Sequence, residues 1–188
     1  MNAQIDITGI VLKTERLILR PWRQEDLDDF FEYASVDGVG QMAGWLPHES
    51  KELTQMILDS FIEGKKTFAL ELGGKVIGSL GIENYKEDEF PELEGLCGRS
   101  IGYVLSKDHW GKGLMPEAVK AVLGYLFEDA EMDFLLVSHY VWNGQSRRVI
   151  QKSGFHYVKT IQLQTRYNTI EDTLVYVLKK EDWEHAQS

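Results

Sequence analysis

The sequence predicts an α+β fold in a single domain spanning residues 1–188. Three observations carry this. A strand pair interrupted only by Gly73-Gly74 reads as a hairpin with a tight primed turn. Ile101–Thr160 alternates strand, glycine loop, helix, strand, polar loop, helix, strand. Finally, 188 residues suffice to bury one core without disulfides, and 43% apolar and 27% charged residues are ordinary globular values.

In chain order, Leu12–Pro21 has a strand-like core at Arg16–Arg20, closed by proline. Leu27, Phe30, Phe31 and Ala34 follow at helical spacing, with Glu25 and Asp26 in the favoured acidic first turn. The glycine-rich stretch 36–50 reads as a loop, but Trp45, Leu46 and Pro47 make it apolar enough to cover something. A second helix is expected over about 49–63, with Leu53, Met56, Ile57, Ser60 and Phe61 on one face. The hairpin occupies 67–72 and 75–85. The acidic stretch 86–98 reads as a solvated connection. A strand over 99–105 leads into His109-Trp110-Gly111-Lys112-Gly113-Leu114-Met115, and a helix runs from about Met115 or Pro116 to Ala130. Pro116 suits a first turn, where its missing N–H costs nothing. A strand at 134–141, a short helix at 145–152 with a Ser153-Gly154 cap, and an antiparallel pair at 155–160 and 173–179 complete the chain.

Composition narrows the function. The net charge of −10 argues against general nucleic-acid binding, which needs a basic face. It suits a small ligand, or a basic amine or peptide drawn to acidic surface. Cys97 is the single cysteine, so no internal disulfide is available and a reducing cytoplasm is the expected compartment. Cys97 itself is expected to be a buried, inert thiol. The first residues carry Asp6 and no continuous apolar core, so no signal peptide is expected. No apolar run approaches the roughly 20 residues that span a bilayer.

The glycine loop is the chemical clue. Gly111 and Gly113 let backbone approach a ligand without an intervening Cβ. The helix behind them aims its free N–H groups and positive dipole end at the loop, and Lys112 adds a point charge. The loop lacks the Lys-Ser/Thr of a triphosphate loop, and Pro116 stands where a dinucleotide fingerprint needs its third glycine.

The order strand, x-G-K-G, helix, strand, N-x-x-S, helix, GF, strand resembles the GNAT superfamily of acyl-CoA-dependent N-acetyltransferases. The similarity is closest to its RimJ/RimL-like branch, which acetylates N-termini of ribosomal proteins. It rests on Thr14–Arg20, Trp45-Leu46-Pro47, Val76-Ile77-Gly78, Ile101–Leu105, Trp110–Gly113, Glu117-Ala118-Val119, Asn143–Ser146 and Lys152–Phe155, which span nearly the whole chain. The resemblance implies a mixed, mostly antiparallel central sheet with helices on both faces. It also implies acetyl-CoA as cosubstrate, no metal, and a primary amine as acceptor, either a peptide N-terminus or a small amine.

By the same resemblance, Tyr103, Val104 and Leu105 would offer backbone groups to the pantetheine arm in the manner of an added strand. A backbone N–H near Val104 or Leu105 would polarise the acetyl carbonyl. The amides of Gly111, Lys112, Gly113, Leu114 and Met115 would hold the pyrophosphate. Met115 stands where the family has a small residue, a departure expected to tighten the loop. Asn143 matches an asparagine that bonds pantetheine, and by itself also reads as a turn residue. Ser146 matches a serine that protonates the departing thiolate, and by itself also reads as a helix cap. Transfer also needs a base to free the amine. Glu83 and His139 are the two candidates, each equally readable as a surface or core residue. A small-molecule acceptor such as a polyamine, amino acid or antibiotic, and a non-catalytic CoA-binding module, are the alternatives. The chain is expected to act as a monomer or homodimer, without membrane or direct nucleic-acid partners.

Overall fold

In a computed structural model describing residues 1–187, the chain builds one eight-stranded sheet. Its strands are β1 (Leu12–Lys13), β2 (Ile18–Pro21), β3 (Thr67–Leu72), β4 (Lys75–Glu83), β5 (Gly98–Leu105), β6 (Phe134–Tyr140), β7 (His156–Gln164) and β8 (Ile170–Lys179). The spatial order is β1-β2-β3-β4-β5-β6-β8-β7. Every neighbouring pair is antiparallel except β5 and β6, which run parallel. A parallel pair needs a long crossover, and α3 (Leu114–Gly124) supplies it.

The other helices are α1 (Leu27–Ala34), α2 (Lys51–Gly64), α4 (Gly144–Lys152) and α5 (Lys180–Gln187). Helices cover both faces. Against one, Ala118, Val119 and Val122 of α3 and Ile150 of α4 pack on Leu19, Leu80, Ile101 and Val137. Against the other, Phe30 and Ala34 of α1 and Leu58 of α2 pack on Ala69 and Val76. Side chains of this size contribute about 1.5–3 kcal/mol each when fully buried. Arg20 enters the interior only because it is matched there: its guanidinium forks onto both Asp26 oxygens at 2.8 Å and donates to Glu71 at 2.6 Å.

Several expectations need correction. The first strand is β2, starting at Ile18 rather than Arg16, while Arg16 and Leu17 lie in the turn from β1. In α2 the most buried side chains are Thr54 and Leu58, whereas Met56 is 70% exposed. The acidic stretch is more than a solvated connection: Phe90 and Leu93 pack with Tyr85, Phe134, Leu136 and Val175 at one end of the sheet. The last turn of the α3 helix widens into a π-helix over Tyr125–Asp129. The closing pair extends to Gln164 and back to Ile170, and α5 follows it without a break. Cys97 is only half-buried. Among the described residues, no helix is long and apolar enough to cross a membrane.

Candidate active site

The site begins where the parallel pair stops. The β5–β6 ladder runs from Gly98↔Phe134 to Ile101↔Val137 and ends there, although both strands continue. Gly102–Leu105 and Ser138–Tyr140 therefore flank a gap in the middle of the sheet. A cavity of about 620 Å³ fills it, lined by the glycine loop, by Ser146, Arg148 and Lys152 of α4, and by Val39, Met42, Ala43, Glu83 and Leu163. That volume is in the range of small-molecule and cofactor sites.

The β5 backbone beside the gap is unevenly available. Ser106 N–H donates to the Ile77 carbonyl at 2.7 Å, toward β4. Strand alternation turns Val104 the same way and faces Tyr103 and Leu105 into the gap. The Leu105 carbonyl accepts from Trp110 Nε1 at 2.8 Å. Of the three expected backbone ligands, Tyr103 and the Leu105 N–H remain available, and Val104 is turned into the β4 ladder.

The glycine loop is built on two left-handed glycines. Gly111 and Gly113 sit at φ 73° and 75°, the left-handed region that favours glycine, and a Cβ on Gly111 would meet nothing within 4 Å. Among the described residues, the N–H groups of Gly111, Lys112, Gly113 and Leu114 have no protein acceptor. Four free donors at a helix start form an anion site. Leu114 and Met115 contribute backbone only, since both side chains are buried in the core. The bulk of Met115 is thus absorbed by the interior and does not tighten the loop. Lys112, Arg148 and Lys152 join no ion pair among the described residues, and the last two line the cavity. In a chain of net charge −10, this is a local positive end. Free amides, open space over a left-handed glycine and unpaired cations together fit a phosphate-bearing cofactor.

The loop is also held from behind, by residues far earlier in sequence. Arg16 Nη1 donates to the Lys112 carbonyl at 2.9 Å, and Arg16 Nε donates to Glu117 Oε2 at 2.7 Å. Glu117 Oε1 accepts from Thr14 Oγ1 at 2.5 Å and from the Arg16 N–H at 2.8 Å. Burial pushes the Glu117 carboxyl up, but the Thr14 hydroxyl and the Arg16 amide and guanidinium outweigh it and hold it below its ordinary value.

On α4 the two motif residues exchange their anticipated parts. Asn143 is the helix cap: its Oδ1 accepts from the Ser146 N–H at 3.1 Å. Its Nδ2 donates to the Met42 carbonyl at 3.2 Å, and the residue is 4% exposed. Ser146 lies inside the first turn and is not the cap. Its Oγ is 2.9 Å from Tyr103 Oη, and both residues line the cavity. Burial pushes the Tyr103 phenol well above its ordinary value, with the Ser146 hydrogen bond opposing, so Tyr103 keeps its proton.

The two candidate bases differ sharply. Both ring nitrogens of His139 are engaged, Nδ1 with the Tyr140 carbonyl at 2.7 Å and Nε2 with Tyr176 Oη at 3.1 Å. A carbonyl only accepts, so Nδ1 carries the proton and Nε2 accepts from Tyr176. Burial lowers the imidazole from its ordinary value. His139 is a core hydrogen-bonder with no nitrogen left for a substrate proton. Glu83, last residue of β4, lines the cavity, and its Oε2 accepts from Lys66. It is the one carboxylate among the lining residues.

The apolar loop does cover something. Its 3₁₀ turn (Gly40–Ala43) roofs the cavity beside Tyr140 and the α4 start. The roof is pinned by Asn143 to the Met42 carbonyl and by the Arg166 N–H to the Gly44 carbonyl at 2.8 Å. A Cβ on Gly44 would lie 2.2 Å from Tyr140 Oη, and one on Gly40 would lie 2.2 Å from the Trp45 ring.

A family model described as an acetyltransferase (GNAT) domain matches residues 16–156. The chain belongs to the GNAT acetyltransferase family. Among curated relatives, an uncharacterized N-acetyltransferase p20 of Bacillus licheniformis is 32% identical over 129 residues, 65% of this chain and 68% of that protein. Among solved structures, a GNAT-family acetyltransferase from Bacillus anthracis superposes with TM-score 0.79 at 22% identity, covering 92% of this chain and 99% of that one. A structure titled RimL, ribosomal L7/L12 alpha-N-protein acetyltransferase, gives TM-score 0.73 at 16% identity, covering 90% and 93%. The mixed, mostly antiparallel sheet with helices is thus the GNAT fold, and the chain is an acetyl-CoA-dependent acetyltransferase by family.

Sequence reasoning missed the roof residues Met42 and Ala43, the Tyr103 hydroxyl and the Arg16–Glu117 pair. None lies in a motif whose chemistry announces itself. The Thr-Glu-Arg run did carry the resemblance, and its charged residues had no partner in sight.

Proposed function

We propose that the protein transfers the acetyl group of acetyl-CoA to a primary amine entering beneath the roof, with a peptide N-terminus as the first acceptor class. The observation that carries this is the gap between β5 and β6, with an anion site at the glycine loop and Glu83 at the other end of the gap, opposite Ser100. The Gly111–Leu114 amides, aided by Arg148 and Lys152, would hold the phosphates. The Tyr103 backbone would pair with the pantetheine arm as an added strand. When bound, the thioester supplies an activated acyl group, and the protein supplies position and electrostatics.

The chain's own groups complete the reaction. Glu83 takes the ammonium proton, directly or through water, while Lys66 donates to its Oε2. The Leu105 N–H is the remaining donor toward a carbonyl in the gap. Ser146 Oγ gives a proton to the leaving sulfur, and Tyr103 Oη stands behind it as a hydrogen-bond partner. Asn143 holds the α4 start, and with it Ser146, against the roof.

Support for a peptide acceptor comes from the fold shared with the ribosomal-protein acetyltransferase. A second reading, a small amine with an apolar substituent, is favoured by the apolar lining that Val39, Leu163 and the roof residues Met42 and Ala43 give the cavity. Thiol release from acetyl-CoA, measured against N-terminally free peptides, the same peptides blocked, and a panel of small amines, separates the two. Release with free peptides alone supports the first reading, and release with small amines alone replaces it with the second.

A further inference from the structure

Two glycines make the phosphate loop permissive and also make it loose. The Lys112–Gly113 peptide turns about the Lys112 Cα–C and Gly113 N–Cα bonds, and Gly113, at φ 75°, accepts backbone angles closed to other residues. A peptide so flanked can turn over and present its carbonyl, rather than its N–H, to the cavity. A carbonyl there would repel phosphate. Something must hold the peptide in the binding orientation, and neither glycine does.

Arg16 reaches that peptide. Its Nη1 donates to the Lys112 carbonyl at 2.9 Å, while Nε and Nη2 engage Glu117 Oε2 at 2.7 and 2.6 Å. Glu117 stands in the first turn of α3, the element the loop leads into, and its other oxygen is fixed by Thr14 and the Arg16 N–H. Neither Arg16 nor Glu117 lines the cavity, whereas Gly111 and Gly113 do. The clamp therefore grips the loop from outside. A planar trans peptide points its C=O and N–H in opposite directions, so drawing the Lys112 oxygen outward drives the Gly113 N–H inward.

We propose that Arg16, fixed by Glu117 and Thr14, is a positioning residue that locks the Lys112–Gly113 peptide with its N–H facing the cofactor's phosphates. This rests on the reading of the loop as the pyrophosphate site of acetyl-CoA. The planar guanidinium fork is essential to it: a lysine in its place has one charged head and cannot hold Glu117 and the Lys112 carbonyl in one rigid geometry.

Binding of two thioesters separates the clamp from general damage. Acetyl-CoA carries the phosphates, and S-acetylpantetheine lacks them. Calorimetric titration of both into the wild type, Arg16→Ala, Arg16→Lys and Glu117→Gln should show acetyl-CoA affinity falling about tenfold or more in Arg16→Ala. S-acetylpantetheine affinity should change less than about twofold, the loss expected when no phosphate contact is involved. Saturating kcat should be retained. Arg16→Lys should resemble Arg16→Ala, and Glu117→Gln, which keeps the side-chain shape, should shift in the same direction. If Arg16→Lys keeps wild-type affinity, charge alone matters and the clamp is overturned. Equal losses for both thioesters in Arg16→Ala and Glu117→Gln overturn it too, as plain structural damage. A wild type that binds the two thioesters equally well instead refutes the phosphate-loop reading, a result distinguishable from unchanged affinity in the variants.

Discussion

Asn143 joins two halves of the site with one amide, its oxygen capping α4 and its nitrogen tying down the Met42 carbonyl. Ser146, spared from capping, turns its hydroxyl to Tyr103. The two residues therefore separate by mutation. Ser146→Ala should lower kcat at least tenfold, in the span of a lost proton-transfer group, with the melting midpoint nearly unchanged. Asn143→Ala should cost about 0.5–2 kcal/mol of stability, the range for a lost cap, and raise acceptor KM by freeing the roof. A Ser146→Ala melting loss as large as that of Asn143→Ala would return the capping role to the serine. Two buried imidazoles set the acid side of stability. Burial, with Arg166 nearby, lowers His48, and burial with Arg147 lowers His139 against the pull of the Tyr140 carbonyl. The unfolded chain takes these protons near pH 6.5, and the folded chain resists them until lower pH. Their contribution is intact above about pH 6.5 and declines as pH falls toward the folded values. The melting midpoint should drop between pH 7.5 and 5.5, and His48→Gln should flatten the drop; an unaltered slope in that variant refutes the assignment.

At the scale of elements, the glycine loop and α3 act as one device: a left-handed approach, four free donors and a helix start. Gly111→Asp tests it, because aspartate tolerates left-handed backbone better than most residues, a Cβ there meets nothing within 4 Å, and it brings a like charge to the phosphates. The variant should fold, with circular dichroism close to wild type, and lose measurable acetyl-CoA binding; retained affinity would remove the loop from the cofactor site. This element was legible because glycine spacing, Pro116 and the downstream helix are local signals. So were the β3–β4 hairpin, with its Gly73-Gly74 turn, and α1, with its strong apolar face. Other elements were opaque for physical reasons. In Lys180–Gln187 the one large apolar residue is Trp183, which stacks near Phe127 at 5.4 Å between ring centroids, and a lone anchor makes no periodicity. In α2, Met56 looks like core by type but is exposed, while Thr54 is buried because His48 Nδ1 lies 2.8 Å from its hydroxyl. The Arg16 clamp was invisible because partners some hundred residues apart leave no spacing to read.

Across the whole molecule, charge is polarised against its own sum. A chain of net charge −10 keeps Lys112, Arg148 and Lys152 out of ion pairs among the described residues, at the glycine loop and α4, and places Glu83 at the other end of the gap, opposite Ser100. Acetyl-CoA affinity should therefore weaken as ionic strength rises from about 0.01 to 0.15 M, where the screening length shrinks from about 30 to 8 Å. Affinity for S-acetylpantetheine should hardly respond, and parallel salt slopes for the two would contradict the polarity. The motif order along the chain announced the family and its architecture, but the cavity lining also draws on the Gly40–Ala43 turn, β4 and β7, which no single motif contains.

The gap between β5 and β6 has a consequence for survival as well as for chemistry. A sheet that parts in its middle displays a fresh edge there, with the Tyr103 backbone and the Leu105 N–H open to a passing strand. Most proteins bury such edges or guard them with charge; this one leaves the edge to whatever enters the cleft. Cosubstrate supply would then govern how long the enzyme persists in soluble form as well as how fast it works. On heating, light scattering should appear later when acetyl-CoA is present than when it is withheld.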